Sequence, residues 1–321
     1  MSTRPAAQAG AALLLALIIL GMVSTIAAGM VWQQSSAVQV EAAERAREQA
    51  GWILRGALDW ARLILREDLR AGQRRSSFYT SLRDTWATPL DEARLSSFLA
   101  ADKDNNADGG PEAFISGAIV DAQARLNLRG VVDPAGKVLE PQLAGLQRLA
   151  DALGAPSDTA SRLAELLGKA LAPQTDADAR GPLIRPETVA DMGWLGVDSA
   201  TLERISAYVE LLPIPTAVNA NTAPREVLLA AIDGLDLGTA ERLVQARQRT
   251  PFETLEAVQS VLGGNFKLDP ARVGVASSWF QVYGRLRLEE RVVEERSLLQ
   301  RENDRVIVRR REHRSFEAPA R

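Results

Sequence analysis

The chain has 321 residues and a formal net charge of −3, and 46% of its residues are hydrophobic. This length supports one or two globular domains beside any membrane segment, and the charge balance gives no general attraction for nucleic acid. Cysteine is absent and the single histidine, His313, lies in an arginine-rich run, which excludes thiol catalysis, cysteine metal sites and histidine-based triads. We therefore do not expect an enzyme.

The first predicted element is a long apolar helix. No charged residue occurs from Ala11 to Val40, and about 20 apolar residues are enough to cross a bilayer. Arg4 precedes this run and Trp32 lies at the far end of its apolar part, residues 11–32, which predicts a single span with the N-terminus in the cytoplasm. Apolar residues then recur at steps of three and four as far as Leu69, without proline. The pattern predicts one helix over residues 11–69, about 88 Å long at 1.5 Å per residue.

Three interpretations of this N-terminal segment remain open. It could be an uncleaved signal anchor, or a secretory signal cut near Ala27, Ala28 and Gly29. Against a secretory signal, the apolar run exceeds the usual h-region of about 7–15 residues. The third interpretation is a short leader, residues 1–10, cut between Gly10 and Ala11.

The leader resembles that of type IV pilin-like proteins, which a prepilin peptidase cleaves. Such proteins usually carry glutamate at the fifth mature position, where this chain has Leu15. The same departure is typical of minor pseudopilin K of type II secretion systems, also called general secretion pathway protein K. The resemblance implies that the usual glutamate neutralises the N-terminal amine of a neighbouring subunit. A carboxylate without such a cationic partner is costly in hydrocarbon, so leucine suits a subunit at the tip, which can do without this contact.

A polar loop follows the helix. Its oxygen-bearing side chains alternate as in the first half of an EF-hand calcium loop; they are Asp102, Asp104, Asn106 and Asp108. The match fails where the motif needs glycine and glutamate, since the chain has Ala107 and Ala113. Calcium is one interpretation of this loop, and a polar loop without metal is the other.

The first part of the predicted head, residues 70–139, contains strands. Residues 76–83 have strand-like composition, and residues 113–120 with 124–128 predict a hairpin. The hairpin holds a phrase resembling the D-x-Q-x-R-x-N-L signature of pseudopilin K heads, with Asp121, Gln123, Arg125 and Asn127 at its polar positions. We expect Asn127 to bond nearby backbone in a structural role.

Residues 140–270 predict a separate all-helical block. Leucine and alanine recur at helical spacing in four segments, over residues 141–153, 160–171, 184–193 and 199–212. The phrase Asn219, Asn221, Thr222 and Ala223 is the strongest family signature, and Thr222 is a natural N-cap for the helix that follows it. A helical block between strands indicates an insertion in an α+β head.

Residues 232–244 resemble a helix-hairpin-helix, a motif that often grips the DNA backbone. In this chain a carboxylate, Asp236, stands where the DNA-binding motif has its second glycine, and Gly238 stands where lysine is usual. Residues 214–266 carry six acidic and four basic side chains, a local charge of −2 that repels a polyanion. Packing within the block is therefore favoured over DNA binding.

The closing part of the head, residues 271–314, returns to strands. Residues 280–288 alternate as a half-buried strand, and residues 305–308 predict a last short one. The dense charge suits a solvated face with a guarded edge. Residues 315–321 are predicted to be a disordered tail.

The resemblance to pseudopilin K covers nearly the whole chain and implies an α+β fold: a membrane-spanning N-terminal helix with a pilin-like α/β head and a large all-α insertion. It implies cleavage after Gly10, methylation of Ala11, and helix packing through Gly21, Ala27, Ala28 and Gly29. The implied partners are pseudopilins I, J and H, prepilin peptidase, the inner-membrane secretion platform and membrane lipid, with no nucleic acid. No cofactor is required. The implied location is the inner membrane, with most of the chain in the periplasm. The rival class is a membrane-anchored DNA-uptake factor that uses the hairpin.

Overall fold

The computed structural model describes residues 9–74, 77–95, 113–173, 185–264, 266–288 and 291–317. The chain divides into two compact units, residues 1–55 and 56–321. Helix α1, Ala9–Gln73, begins in the first unit and ends in the second. The segment Leu13–Glu41 of this helix is long and apolar enough to cross a membrane, as the sequence predicts.

The apolar side chains of α1 in the first unit are exposed. Leu13, Ile19 and Val31 each expose more than half of their surface, and Trp32 is 77% exposed. Soluble proteins rarely leave such a continuous apolar surface uncovered, whereas a lipid environment would satisfy it.

In the second unit, one face of α1 belongs to the core of the head. Leu58, Ala61 and Leu65 are buried and pack with Trp86 and Phe280. The rings of Trp86 and Phe280 meet edge to face, with centroids 5.2 Å apart. The predicted spacing of three and four residues along α1 is the spacing that this core uses.

A five-stranded antiparallel sheet forms the other side of this core, in the order β1-β2-β7-β8-β9. Its strands are β1 Leu90–Arg94, β2 Ala113–Asp121, β7 Trp279–Leu288, β8 Arg291–Glu302 and β9 Arg305–Glu317. Strands β2 and β7 are adjacent in the sheet although a large part of the chain separates them in sequence, so everything between them is an insertion at this point of the sheet.

The insertion is mainly helical and has its own core. Its helices are α2 Glu140–Ala152, α3 Thr159–Leu171, α4 Ser199–Ile205, α5 Arg225–Ala231, α6 Leu237–Arg249 and α7 Leu255–Leu262. Leu149, Leu163, Val227 and Leu243 are fully buried within one apolar cluster that all four share. The fold is therefore the predicted mixture of helix and sheet, but the inserted block is not all-helical as predicted, because the strands Val209–Glu210 and Val218–Asn219 lie within it.

Two short parallel pairs lie between the sheet and the helices. Strand β3, Leu126–Asn127, pairs with β4, Val209–Glu210. Strand β5, Val218–Asn219, pairs with β6, Val273–Gly274. The first family phrase contributes β3 to one pair, and the second contributes β5 to the other.

The predicted hairpin between residues 113–120 and 124–128 is wrong. Strand β2 already has β1 and β7 as its neighbours, so it has no free edge for a hairpin partner. The chain instead turns through a short 3-10 helix, Ala122–Ala124, which Asp121 caps by accepting a hydrogen bond from the Gln123 amide. It then pairs with β4 in parallel.

Three further sequence predictions fail because local hydrogen bonds form turns. Residues 77–83 are not a strand, since the Asp84 carboxylate accepts from the Ser81 amide at 2.7 Å. Within residues 184–193, the described part is helical only in the 3-10 turn Ala190–Gly193. Helix α4 ends at Ile205, so the predicted helix over 199–212 was too long.

The last two strands are longer than predicted. Strand β8 has 12 residues and β9 has 13, joined by a turn in which Asn303 has a φ of 54°. Strand β9 continues through Glu317, so the predicted disorder from residue 315 is wrong for residues 315–317, and residues 318–321 lie outside the described residues. The charged side chains of β8 and β9 obscure the apolar–polar alternation from which a strand is predicted.

Candidate functional site

The predicted processing site lies at the beginning of α1. Gly10 and Ala11 are helical, and the next described side chains are exposed, including Leu15 at 62%. Gly21 and Gly29 have open space around the position of a Cβ atom, which leaves room for another helix to approach closely. Ala27 and Ala28 are exposed on the same helix.

A second cluster, which we call the polar junction, consists of Asp121, Asn219, Thr222 and Ser277. All four side chains are buried. One oxygen of Asp121, Oδ2, accepts hydrogen bonds from Thr222 Oγ1 at 2.6 Å, Ser277 Oγ at 2.6 Å and Asn219 Nδ2 at 3.0 Å. The junction therefore joins the end of strand β2 to the helical block and to the segment before β7.

The electrostatics of the junction depend on burial. Desolvation raises the pKa of Asp121, and the hydrogen bonds from Ser277, Thr222, the Gln123 amide and Asn219 oppose that rise. The sequence predicts Thr222 as the N-cap of α5, and this prediction is wrong. Pro224 is the N-cap, and the Thr222 hydroxyl donates to the buried carboxylate of Asp121. A buried carboxylate with this many donors holds its neighbours in one arrangement.

The other residues of the two phrases hold backbone groups between the same elements. Gln123 donates to Ala217 O at 2.9 Å and accepts from the Ser278 amide at 2.7 Å. Asn221 both donates to and accepts from the main chain of Phe252, at 2.8 Å in each case.

Asn127 has the backbone role that the sequence predicts for it. Its amide nitrogen donates to Ile214 O at 2.7 Å, and its oxygen accepts from the Arg129 amide at 3.0 Å and the Leu212 amide at 3.2 Å. Asn127 thus ties β3 to the chain that follows β4.

Arg125 forms an ion pair with a buried glutamate, Glu210, at 3.0 Å. Burial acts to lower the pKa of Arg125, but Tyr283 and Glu210 together raise it above its ordinary value. Arg296 lies 3.4 Å from the same carboxylate. Strands β7 and β8 are thereby linked to the short β3–β4 pair.

Sequence reasoning missed three residues that complete these contacts: Ser277, Glu210 and Arg247. Arg247 donates to Ala220 O at 2.7 Å and to Ala223 O at 2.6 Å, and burial lowers its pKa to about 10. Glu210 could have been noticed as a lone acid within an apolar run, Tyr208–Leu212. Nothing in the local sequence distinguishes Ser277.

The hairpin between α5 and α6 does not present a free helix terminus to a phosphate. Asp236 caps α6, accepting from the Thr239 amide at 2.8 Å and from its hydroxyl at 3.0 Å. Asp233 pairs with Arg148 and Arg272, at 2.7 and 2.6 Å. An anion would have to displace these carboxylates, so the geometry opposes backbone binding of DNA.

The predicted calcium residues Asp102, Asp104, Asn106 and Asp108 lie outside the described residues. In the part of the chain that the structure describes, no three histidine, aspartate or glutamate side chains are grouped so as to hold a metal ion.

Comparison with known proteins gives one consistent family. A family model described as type II secretion system (T2SS), protein K matches residues 218–276, which include Asn219, Thr222 and Asp236. The type II secretion system protein K of Pseudomonas aeruginosa is 28% identical over 315 residues, covering 92% of this chain and 90% of that protein. The protein of the same description from Pectobacterium carotovorum is 28% identical over 335 residues, covering 95% and 96%.

A solved structure is similar in fold. It is a chain of the GspK-GspI-GspJ complex from the enterotoxigenic Escherichia coli type 2 secretion system. The TM-score is 0.58 at 18% identity, and the match covers 86% of this chain and 99% of that chain.

Proposed function

We propose that this chain, which belongs to the type II secretion system protein K family, is a non-enzymatic minor pseudopilin at the tip of a periplasmic pseudopilus. The observation that carries the proposal is the continuity of α1, whose apolar segment Leu13–Glu41 leads into turns that form the core of the head. Such a helix would anchor a pseudopilin in the membrane before assembly and would pack against other helices in the fibre afterwards.

Two features support the proposed tip position. The helical block inserted between β2 and β7 adds bulk that another subunit would have to accommodate above it. Leu15 also lacks the carboxylate that pairs with the N-terminal amine of a neighbouring subunit in other pseudopilins. A terminal subunit can do without that pairing, whereas an internal one cannot.

In this proposal the chain is inserted once in the inner membrane, with its N-terminus in the cytoplasm and its head in the periplasm. Prepilin peptidase cuts between Gly10 and Ala11, and Ala11 is methylated. The helix then packs through Gly21, Ala27, Ala28 and Gly29 against neighbouring helices, and the chain joins pseudopilins I and J, with help from H. The inner-membrane platform drives the fibre, which moves folded proteins across the outer membrane. The proposal requires no cofactor.

Secretion by cells carrying Gly10→Val tests the proposal. A branched side chain at the cleavage position should leave the chain uncut, so that the protein migrates as its longer form and folded exoproteins stay in the periplasm. Ala6→Val, within the same leader, is the control and should be cut normally. A normal mature band for Gly10→Val would refute the assignment of the leader.

The DNA-uptake alternative is disfavoured by the carboxylates at the α5–α6 hairpin. Electrophoretic mobility of a DNA fragment with the full chain in detergent discriminates between the two functions. The secretion proposal expects no shift at modest salt.

A further inference from the structure

The segment that follows α1, residues 77–86, folds back along the end of that helix, and we call it the strap. The ring of Phe78 lies directly against Gly72, where an added Cβ atom would stand 2.5 Å from Phe78 Cδ2. At the other end of the strap, Trp86 is buried in the same apolar cluster as Leu65 of α1. The strap is therefore packed on α1 near both of its ends.

The middle of the strap is tied to the polar junction through Thr80, which is completely buried. Its carbonyl oxygen accepts from Asn219 Nδ2 at 3.1 Å, and its hydroxyl accepts from the Ser277 amide at 3.1 Å. Its own amide donates to Val275 O at 2.9 Å. The strap thus passes the point where the inserted block joins the sheet.

Arg83 carries the contact of the strap with helix α6. Its guanidinium donates to the carbonyl oxygen of Gln248, and to that of Arg249 at 2.9 Å. The last carbonyls of a helix have no partner within it and lie at its negative end, so a cation is favoured there. Ser77 adds a hydrogen bond to Glu253 Oε2 at 2.8 Å. Because Arg83 is exposed, its hydrogen bonds can open without disturbing an apolar core.

The inserted block is connected to the sheet at one place. Strand β2 ends at Asp121 and β7 begins at Trp279, and Asp121 lies opposite Phe280 in the register. A body that is joined to another at one place can turn about that place unless further contacts hold it. On the sheet side, Arg310 of β9 provides such a contact by donating to Glu187 O. On the side of α1, the strap provides it.

We propose that the strap fixes the orientation of the inserted block relative to the end of α1, and that Arg83 is the contact whose loss releases it. While Arg83 holds the end of α6, the block and the end of α1 keep one relative orientation. Without these hydrogen bonds, the block gains freedom to turn about its connection to the sheet. In the proposed pseudopilus, a force along α1 would reach the block through the strap. This last consequence rests on the proposed function, whereas the role of the strap within the chain does not.

Distances between two spin labels test the proposal, because the chain has no cysteine of its own to take up label. Arg66→Cys on α1 and Ser260→Cys on α7 place the labels at exposed positions on either side of the strap. Double electron–electron resonance on the full chain in detergent should give one narrow distance distribution. Arg83→Ala in the labelled chain should broaden that distribution at least about twofold, because the block loses its attachment to α1. Amide hydrogen exchange over residues 246–250 should become about fivefold faster, as expected for the loss of these hydrogen bonds.

The matched control is Arg249→Ala. It removes an exposed guanidinium from the end of the same helix, and this side chain has no hydrogen bond or ion pair within the described residues. We expect the control to leave the label distances unchanged. An unchanged distribution for Arg83→Ala, or equal broadening by Arg249→Ala, would overturn the proposal. Neither result depends on leader cleavage or on secretion, so a failure of the strap proposal would be distinct from a failure of the proposed function.

Discussion

Asp121 is the residue on which the two family phrases converge. It receives donors from Asn219 and Thr222, about a hundred positions along the chain, and from Ser277 beyond them. These three donors share Oδ2, and the Gln123 amide donates to the other oxygen, Oδ1. A carboxylate can accept at both atoms, but an amide puts an NH₂ group at one of them, which would face a donor. The acid at this position is therefore specified by its neighbours rather than by any reaction.

Replacing this acid tests the polar junction. Asp121→Asn should leave at least one buried donor without an acceptor, which costs about 1–3 kcal/mol in the free energy of unfolding. Denaturant unfolding of the full chain in detergent, followed by tryptophan fluorescence, measures the change. Asp91→Asn, at an exposed position of β1, is the control and should change stability little.

The parent chain and the Asp121→Asn variant should also differ in how their stability depends on pH. Burial raises the pKa of Asp121 in the folded chain above its ordinary value of 3.8, so the folded state holds this proton more tightly than the unfolded state. Its proton-linked stability is present below pH 3.8 and is lost as the pH rises through the folded pKa. The stability of the parent chain relative to Asp121→Asn should therefore fall over that interval and then level off. A rise over the same interval would contradict the assignment.

A second residue prediction concerns the buried guanidinium of α6. Arg247→Met should leave the carbonyls of Ala220 and Ala223 without this donor, at a cost of about 2 kcal/mol. Arg249→Met removes the same group from an exposed position two residues later, and we expect a change within about 0.5 kcal/mol. Equal effects in urea unfolding would show that the hydrogen bonds of Arg247 do not matter.

At the scale of single residues, the sequence identifies which positions matter better than it identifies their contacts. The polar positions of both phrases are recognisable, and the backbone role of Asn127 is confirmed. The partnership of Asp121 with Ser277 is not predictable, because it depends on how two distant segments return to one point of the sheet. Thr222 is a second example. Its local sequence predicts a helix cap, but its hydroxyl bonds to Asp121, which is distant in the sequence.

At the scale of elements, the close pairing of β2 and β7 gives a specific prediction. Gly117 lies opposite Gly284, and a Cβ atom at Gly117 would stand 2.7 Å from the carbonyl oxygen of Tyr283. Gly117→Ala should destabilise the head by about 1–3 kcal/mol, because backbone atoms of β7 must move.

The control for this change lies in α1. Gly56 has open space around its Cβ position, and alanine is the better helix former, so Gly56→Ala should stabilise by about 0.5–1 kcal/mol. Thermal unfolding of the full chain in detergent compares the two variants. A neutral Gly117→Ala would mean that β2 and β7 do not approach as closely as the register requires.

Among the elements, those with strong apolar periodicity were predictable. Helix α1 and helices α2 and α3 follow the leucine and alanine spacing closely. Strands β8 and β9 were underestimated because arginine and glutamate occupy positions where an apolar alternation would show. The false hairpin after β2 came from a turn-like sequence whose continuation is decided by the sheet order, which is not a local property.

At the scale of the whole molecule, the proposed function rests on α1. Its segment Leu13–Glu41 is long and apolar enough to cross a membrane, and its later turns belong to the core of the head. The fold and the similarity to type II secretion system protein K of two bacteria are consistent with a secretion pseudopilin. The state of the N-terminus decides between a fibre subunit and an anchored periplasmic protein. The fibre subunit would have lost residues 1–10, whereas the signal-anchored protein would keep them.

The most direct measurement is the intact mass and N-terminal sequence of the native protein extracted from membranes. Our account predicts a chain that begins at Ala11, with one methyl group on its amine. A chain that still begins at Met1, or one cut near Gly29, would contradict it.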